Sequence, residues 1–290
     1  MLTWKIFEEI LHGERKEVGN LTIRALLKNK VLYLAGLINN KLQNTEEWKE
    51  LERRRKLQRT ALAEFINIAE KVGARYVVVK TFKLFPYVPD DVDILILDKH
   101  MVNDIVAELA KRGFKVRSKG TLEITISKVA NKTFADLDIH FKMAAGEYEY
   151  YPHEVIWQNS KKMEVDDIKL NVASWEDECI ITLAHAIMKE LEVLASDLLH
   201  VMICEKKGYI KRELLKSTGH VKTYEVFSKI RQRVIQNSEV LPYQIPLWIT
   251  ALTYLHNMNY RINAGKLKPV RELMEFPKAK SIRKLIVRLI

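Results

Sequence analysis

Three features of this sequence predict a sheet with helices packed on it, an α+β fold. The period of the apolar residues changes from helical to strand-like after Gly73. Several short β-rich runs then follow, separated by turn residues and one helical stretch. From Ser174 onward the period is helical again. The order helix, strand, strand, helix, then strands places helices on a sheet. It gives a helical N-terminal region over 1–60, an α/β core over 61–173 and a helical C-terminal domain over 174–290.

Residues 1–72 read as helical, with apolar residues at helical spacing between Leu21 and Leu42. Thr45 is a suitable N-cap, and Glu46 and Glu47 favour the first turn of the helix it opens. Gly73 stops that helix after Val72. Tyr76-Val77-Val78-Val79 is short and β-branched, as a buried strand is. A segment with two prolines, Pro86 and Pro89, leads to the apolar run Val92-Asp93-Ile94-Leu95-Ile96-Leu97. Asp98 is placed to cap a helix running to about Arg112, closed by Gly113. Phe114–Arg117, Thr121–Val129 and Thr133–Phe141 read as strands. A short hairpin turns at Asp166-Asp167. Ser174 then caps a helix whose first turn holds Glu176, Asp177 and Glu178.

Composition bounds the class. At 48% hydrophobic and 29% charged, the chain has the make-up of a soluble globular protein. No apolar run approaches the ~20 residues of a membrane-spanning helix. The acids Glu8 and Glu9 at the start do not suit a signal peptide. Cys179 and Cys204 lie among apolar residues, which favours buried free thiols and a cytoplasmic setting. Abundant Lys, Arg and Glu is a pattern of thermophile proteins. The net charge of +11 favours an anionic partner. Arg53-Arg54-Arg55-Lys56 alternates with acids and reads as a solvated helix face. The C-terminal stretch with Lys280, Arg283 and Lys284 is less balanced. It reads equally as a nucleic-acid contact or a docking helix.

The chemistry lies in the acids. A strand alternates faces, so Asp91 and Asp93 point the same way. Two carboxylates on one face of a buried strand repel each other unless a cation sits between them. A second run, Phe134 to Phe141, puts Asp136, Asp138 and His140 on one face. An isolated Asp-x-Asp pair most often lies on a solvated strand. Two such pairs on neighbouring strands can build a metal site for phosphoryl or nucleotidyl transfer.

These residues resemble the nucleotidyltransferase fold, the superfamily of DNA polymerase β and the CCA-adding enzymes. The pattern is similar to an uncharacterised nucleotidyltransferase group and to toxin-type nucleotidyltransferases. The resemblance rests on Tyr76 to Lys83 as first strand and loop, Asp91 and Asp93 as paired acids, and Leu137-Asp138-Ile139-His140 as the later acidic strand. Trp157, Ser174-Trp175-Glu176-Asp177, Leu183-Ala184-His185 and Ser196-Asp197-Leu198 extend it to about residues 60–220. It implies a mixed sheet and Mg²⁺ (or Mn²⁺) held by Asp91, Asp93 and Asp138 as catalytic ligands. It implies a nucleoside triphosphate as donor, and RNA, tRNA, a protein or a small molecule as acceptor. Asp136 and His140 become candidates for substrate contact. The loop departs from the family, which has Gly-Gly or Gly-Ser where this chain has Lys80-Thr81-Phe82-Lys83. Lys80, Thr81 and Lys83 would then bind the nucleotide through side chains. The same departure leaves a second class of function open, a catalytically inactive nucleic-acid or protein-binding module.

Overall fold

The computed structural model describes residues 1–15, 17–145 and 148–263. The chain forms two compact units. One comprises Leu32–Met143 and His153–Glu178; the other comprises, among the described residues, Met1–Val31, Ala144–Pro152 and Cys179–Asn263. The boundary expected at residue 60 falls inside a continuous helix, Glu46–Val72, which stays with the sheet.

The first unit is built on a seven-stranded sheet. Its strands are β1 (Tyr76–Val79), β2 (Asp91–Ile96), β3 (Lys115–Lys119), β4 (Glu123–Ala130), β5 (Thr133–His140), β6 (Lys161–Val165) and β7 (Ile168–Val172). They lie in the order β3-β4-β5-β2-β1-β7-β6. The sheet is mixed: β2 runs parallel to β5 and β1 parallel to β7, while the other neighbours are antiparallel. This is the expected α+β class with helices against a mixed sheet.

One face of the sheet is the core. Val78 of β1, Val92 and Ile94 of β2, Ile126 of β4 and Leu137 and Ile139 of β5 pack with two helices. These are α1 (Glu46–Val72) and α2 (Val102–Lys111), which contribute Phe65, Ile68, Ile105 and Leu109. Thr45 caps α1 as its sequence requires, accepting from the Trp48 N–H at 3.3 Å. Gly73 ends it in the left-handed region at φ 73°. Two hairpins turn on residue pairs with positive φ, Asn131-Lys132 and Asp166-Asp167, as two-residue turns require.

The other unit is mainly helical. Its longer helices include Trp4–Leu11, Asn20–Lys28, Ala195–Lys206, Val221–Gln236 and Leu247–Asn263. Short ladders interrupt the helical pattern: Leu2–Thr3 pairs with Val240–Leu241, Glu192–Val193 with Tyr243–Gln244, and Met143–Ala145 with Tyr148–Tyr151. Asn29, fully buried, ties this unit together. Its amide donates to the Ala25 and Leu241 carbonyls and accepts from the Ala195 N–H, each at 2.9–3.1 Å.

Two expectations are corrected. Cys179 and Cys204 are joined in a disulfide, not free. Both are fully buried on helices that bring their Cα atoms to 6.4 Å, within bridging distance. With no free thiol among the described residues, the cysteines give no indication of a reducing compartment. Asp98 stands at the N-cap of a short 3₁₀ turn, Lys99–Met101, but its side chain makes no capping bond; it accepts from the Arg75 backbone N–H at 2.8 Å and its guanidinium at 2.7 Å. A bidentate arginine is a stronger partner than a helix N-terminus. No helix among the described residues is long and apolar enough to cross a membrane.

Candidate active site

The face of the sheet opposite the core is polar at its centre. Register pairs Asp91 with Asp136 and Asp93 with Asp138 across the parallel strands β2 and β5. On β4, Thr125 stands beside Asp138 and Glu123 beside His140. Cross-strand neighbours share a face, so Glu123, Asp93, Asp138 and His140 converge. Donor atoms of Asp93, Asp138 and His140 all lie within 4.8 Å of one another. Asp91 is one register step away and outside this group.

The chain leaves β1 through a tight turn at Lys80. Its φ is 55°, and the Thr81 N–H bonds back to the Val79 carbonyl at 2.6 Å. A three-residue turn with positive φ at a residue bearing a side chain is strained. The turn carries the Lys80 ammonium to 2.5 Å from Asp93 Oδ1. His140 Nε2 contacts the same oxygen at 2.6 Å, and His140 Nδ1 lies 3.4 Å from Glu123. Thr81 is buried, and its hydroxyl accepts from the Asp93 N–H and donates to the Val79 carbonyl, both at 3.0 Å. It is therefore a staple between β1 and β2.

Charge follows from this geometry. Burial works to raise the Asp93 carboxyl. The Lys80 ammonium and the His140 hydrogen bond overcome it and hold Asp93 well below the usual carboxylate range. Sequence reasoning placed Glu178 in the first turn of a helix but gave it no part in the site. It lies on α3 (Trp175–Ala184), capped by Ser174, whose hydroxyl accepts from the Asp177 N–H at 3.1 Å. Glu178 Oε1 accepts from the Lys80 N–H at 2.8 Å. Burial pushes its carboxyl up to about 8, against the Lys80 N–H and the Lys83 charge.

The remaining candidates are dispersed. Asp136 is held by Arg117 at 2.8 Å and by the Ser127 hydroxyl. Lys83 sits 5.3 Å over the Tyr87 ring. Lys280, Arg283 and Lys284 lie outside the described residues.

The acid group suits a divalent cation. Asp138 Oδ1 is buried with no hydrogen-bond partner among the described residues, directly beside the Asp93 and His140 donors. Such an orphaned acceptor is costly without a cation or donor. Two carboxylates and one imidazole form a hard to borderline donor set, compatible with Mg²⁺ or Mn²⁺.

Two solved structures illustrate what this chain is similar to. The solution structure of the antibiotic-resistance factor ANT(2'')-Ia is 13% identical, with a TM-score of 0.40, covering 60% of this chain and 95% of that one. The crystal structure of ANT(2'')-Ia in complex with adenylyl-2''-tobramycin is 9% identical, with a TM-score of 0.33, covering 71% and 97%. No protein-family model and no curated protein matches the sequence.

Proposed function

We propose that the acidic face of the sheet is the active site of a metal-dependent nucleotidyltransferase. It moves a nucleoside monophosphate from a nucleoside triphosphate to an acceptor hydroxyl. The observation that carries this reading is the buried, unpartnered Asp138 Oδ1 beside Asp93 and His140. The order of strand, loop, paired acids and later acid supports it, through the family resemblance.

Asp93 and Asp138 would hold the cation, with Asp91 contributing from the adjoining register position. When bound, Mg²⁺ or Mn²⁺ would polarise the α-phosphate and offset its developing charge. The acceptor oxygen forms a bond to the α-phosphorus, the bond to the β-phosphate oxygen breaks, and pyrophosphate leaves. Asp138 would also accept the hydroxyl proton. His140, between Asp93 and Glu123, fixes the Asp93 side chain. Thr81 acts through Asp93 as a positioning residue, and Lys80 brings fixed positive charge to the phosphates. The acceptor remains RNA, including tRNA in a toxin-type reaction, a protein or a small molecule.

A second reading has its own support. Asp93 is already neutralised by Lys80, and the loop lacks the glycine that lets backbone N–H groups reach a triphosphate. On that reading the protein binds a partner without transfer. Calorimetry with Mn²⁺ and each nucleoside triphosphate separates the two. The enzyme reading expects metal-dependent uptake, lost in Asp93→Asn and Asp138→Asn, and transfer of an α-phosphate label. Absence of both uptake and transfer refutes the enzyme reading and leaves the binding module to be tested with a partner.

A further inference from the structure

On the core side of β2, away from the acids, the sheet unit contains a cavity of about 320 Å³. Val92 points into it, whereas Asp91 and Asp93 point to the opposite face. Its walls come from Tyr33, α1, the loop after β1 and the hairpin around Asp166. The loop places Phe82, Phe85 and Tyr87 there, with Phe85 and Tyr87 edge to face at 6.1 Å. Aromatic walls of this kind suit a planar ring. The volume lies at the small end of ligand sites, room for a body of one or two fused rings.

The polar lining has a sign. Arg55, Arg59 and Lys83 line the cavity against one acid, Asp166. Asp166 fixes the arginines in place: Arg55 Nη1 lies 3.3 Å from its carboxylate, and Arg59 donates to its carbonyl. Glu52 takes part of the Arg55 charge at 3.1 Å, and Asp167 lies 3.7 Å from Arg59. Lys83 stands over the Tyr87 ring. Cations held at the mouth of an aromatic cavity recognise an anion attached to a ring.

We propose that this cavity is a binding site for a planar aromatic ligand carrying one anionic group. An aromatic carboxylic acid and a nucleoside monophosphate share that chemistry. The site does not depend on the transferase reading, since no member of the acid cluster lines it.

The test is titration of the full chain with anilinonaphthalene sulfonate, followed by fluorescence and calorimetry. Binding of one probe per chain is expected. A neutral phenylnaphthylamine should bind at least about tenfold more weakly, the value of one charge-assisted hydrogen bond. Inorganic sulfate alone should not compete. Arg59→Gln should weaken the anionic probe about tenfold and leave the neutral one unchanged. Tyr87→Ala should weaken both. Leu62→Trp, which fills the cavity, should abolish binding; circular dichroism checks that this variant folds, and the first two variants test the site whether or not it does. Displacement by adenosine monophosphate points to a nucleotide, and displacement only by indole carboxylate to an aromatic acid. Probe binding that is not stoichiometric, or is unchanged in Arg59→Gln and Tyr87→Ala, overturns the proposal.

Discussion

Lys80 joins three features of the site: the strained turn after β1, the ion pair with Asp93 and the backbone N–H that Glu178 accepts. Both partners of the ion pair are nearly buried, so removing one leaves an uncompensated charge. Lys80→Met should cost on the order of 3 kcal/mol with a chelator present. If Asp93 and Asp138 are metal ligands, Mn²⁺ should recover part of that loss by occupying the vacated position. Denaturant unfolding with and without Mn²⁺ measures it; an identical cost under both conditions argues against a metal there. Glu178 has the opposite linkage. In the unfolded chain it ionises near the ordinary 4.5, whereas burial keeps it protonated to about 8 in the fold. Between those values the folded state binds more protons than the unfolded one. Its stability contribution is therefore complete at low pH and is lost as pH rises towards 8. Glu178→Gln abolishes that slope. Relative to wild type, the variant should gain stability between about pH 5 and about pH 8. Urea unfolding with no pH dependence of the difference would contradict a neutral buried acid.

At the scale of elements, the helices depend on ends and close packing. Thr45→Ala removes the cap of α1 and should cost about 1 kcal/mol. Gly36 packs under Trp48: a Cβ there would stand 2.1 Å from the indole nitrogen, which bonds the Tyr33 carbonyl while its ring stacks on Tyr33. Gly36→Ala should therefore destabilise by about 1–3 kcal/mol, as overpacking does, and thermal unfolding reads it. The disulfide closes 25 residues. Replacing both cysteines with alanine should lower unfolding free energy by about 3 kcal/mol on the chain-entropy account. An unchanged midpoint in guanidinium would refute that. These elements also explain what the sequence revealed. Strand period located β1 to β5 to within two residues, because alternation and β-branching are local. Alternation put Asp93 on one face with Asp91, and Asp138 with Asp136 and His140; which of them meet is set by the pairing of β2 with β5, which is not local, and the group within 4.8 Å holds His140 where Asp91 was expected. Partners set by tertiary packing were not legible. Nothing local to Asp98 indicates Arg75, nothing local to Cys179 indicates Cys204, and the capping sequence at Ser174 does not reveal that Glu178 reaches the turn at Lys80.

For the whole molecule, charge is the property no single element explains. The sequence carries 48 basic residues against 37 acidic ones. Within the sheet unit much of the excess is matched: Arg53, Arg54 and Arg55 each pair with an acid on α1 or beyond it. The cluster is only in part the solvated face its sequence suggests: Arg53 and Lys56 are exposed, whereas Arg54 reaches Asp90 and Arg55 reaches Asp166. Exposed pairs of this kind contribute little to stability, so their main effect is to neutralise the surface of α1. The basic excess near the C-terminus has few acids beside it in sequence, with Glu272 and Glu275 against eight Lys and Arg between Lys266 and Ile290. If the acceptor is RNA, that excess supplies the non-specific part of its affinity by releasing counterions. Binding of a single-stranded RNA should then weaken linearly on a log–log plot against salt. Replacing Lys280, Arg283 and Lys284 together with alanine should reduce the magnitude of that slope by about 2, since each phosphate left unneutralised removes about 0.7 from it. Fluorescence anisotropy at several salt concentrations gives the slope directly. A slope unchanged in the triple variant assigns the stretch to packing and moves the search for an acceptor to proteins and small molecules.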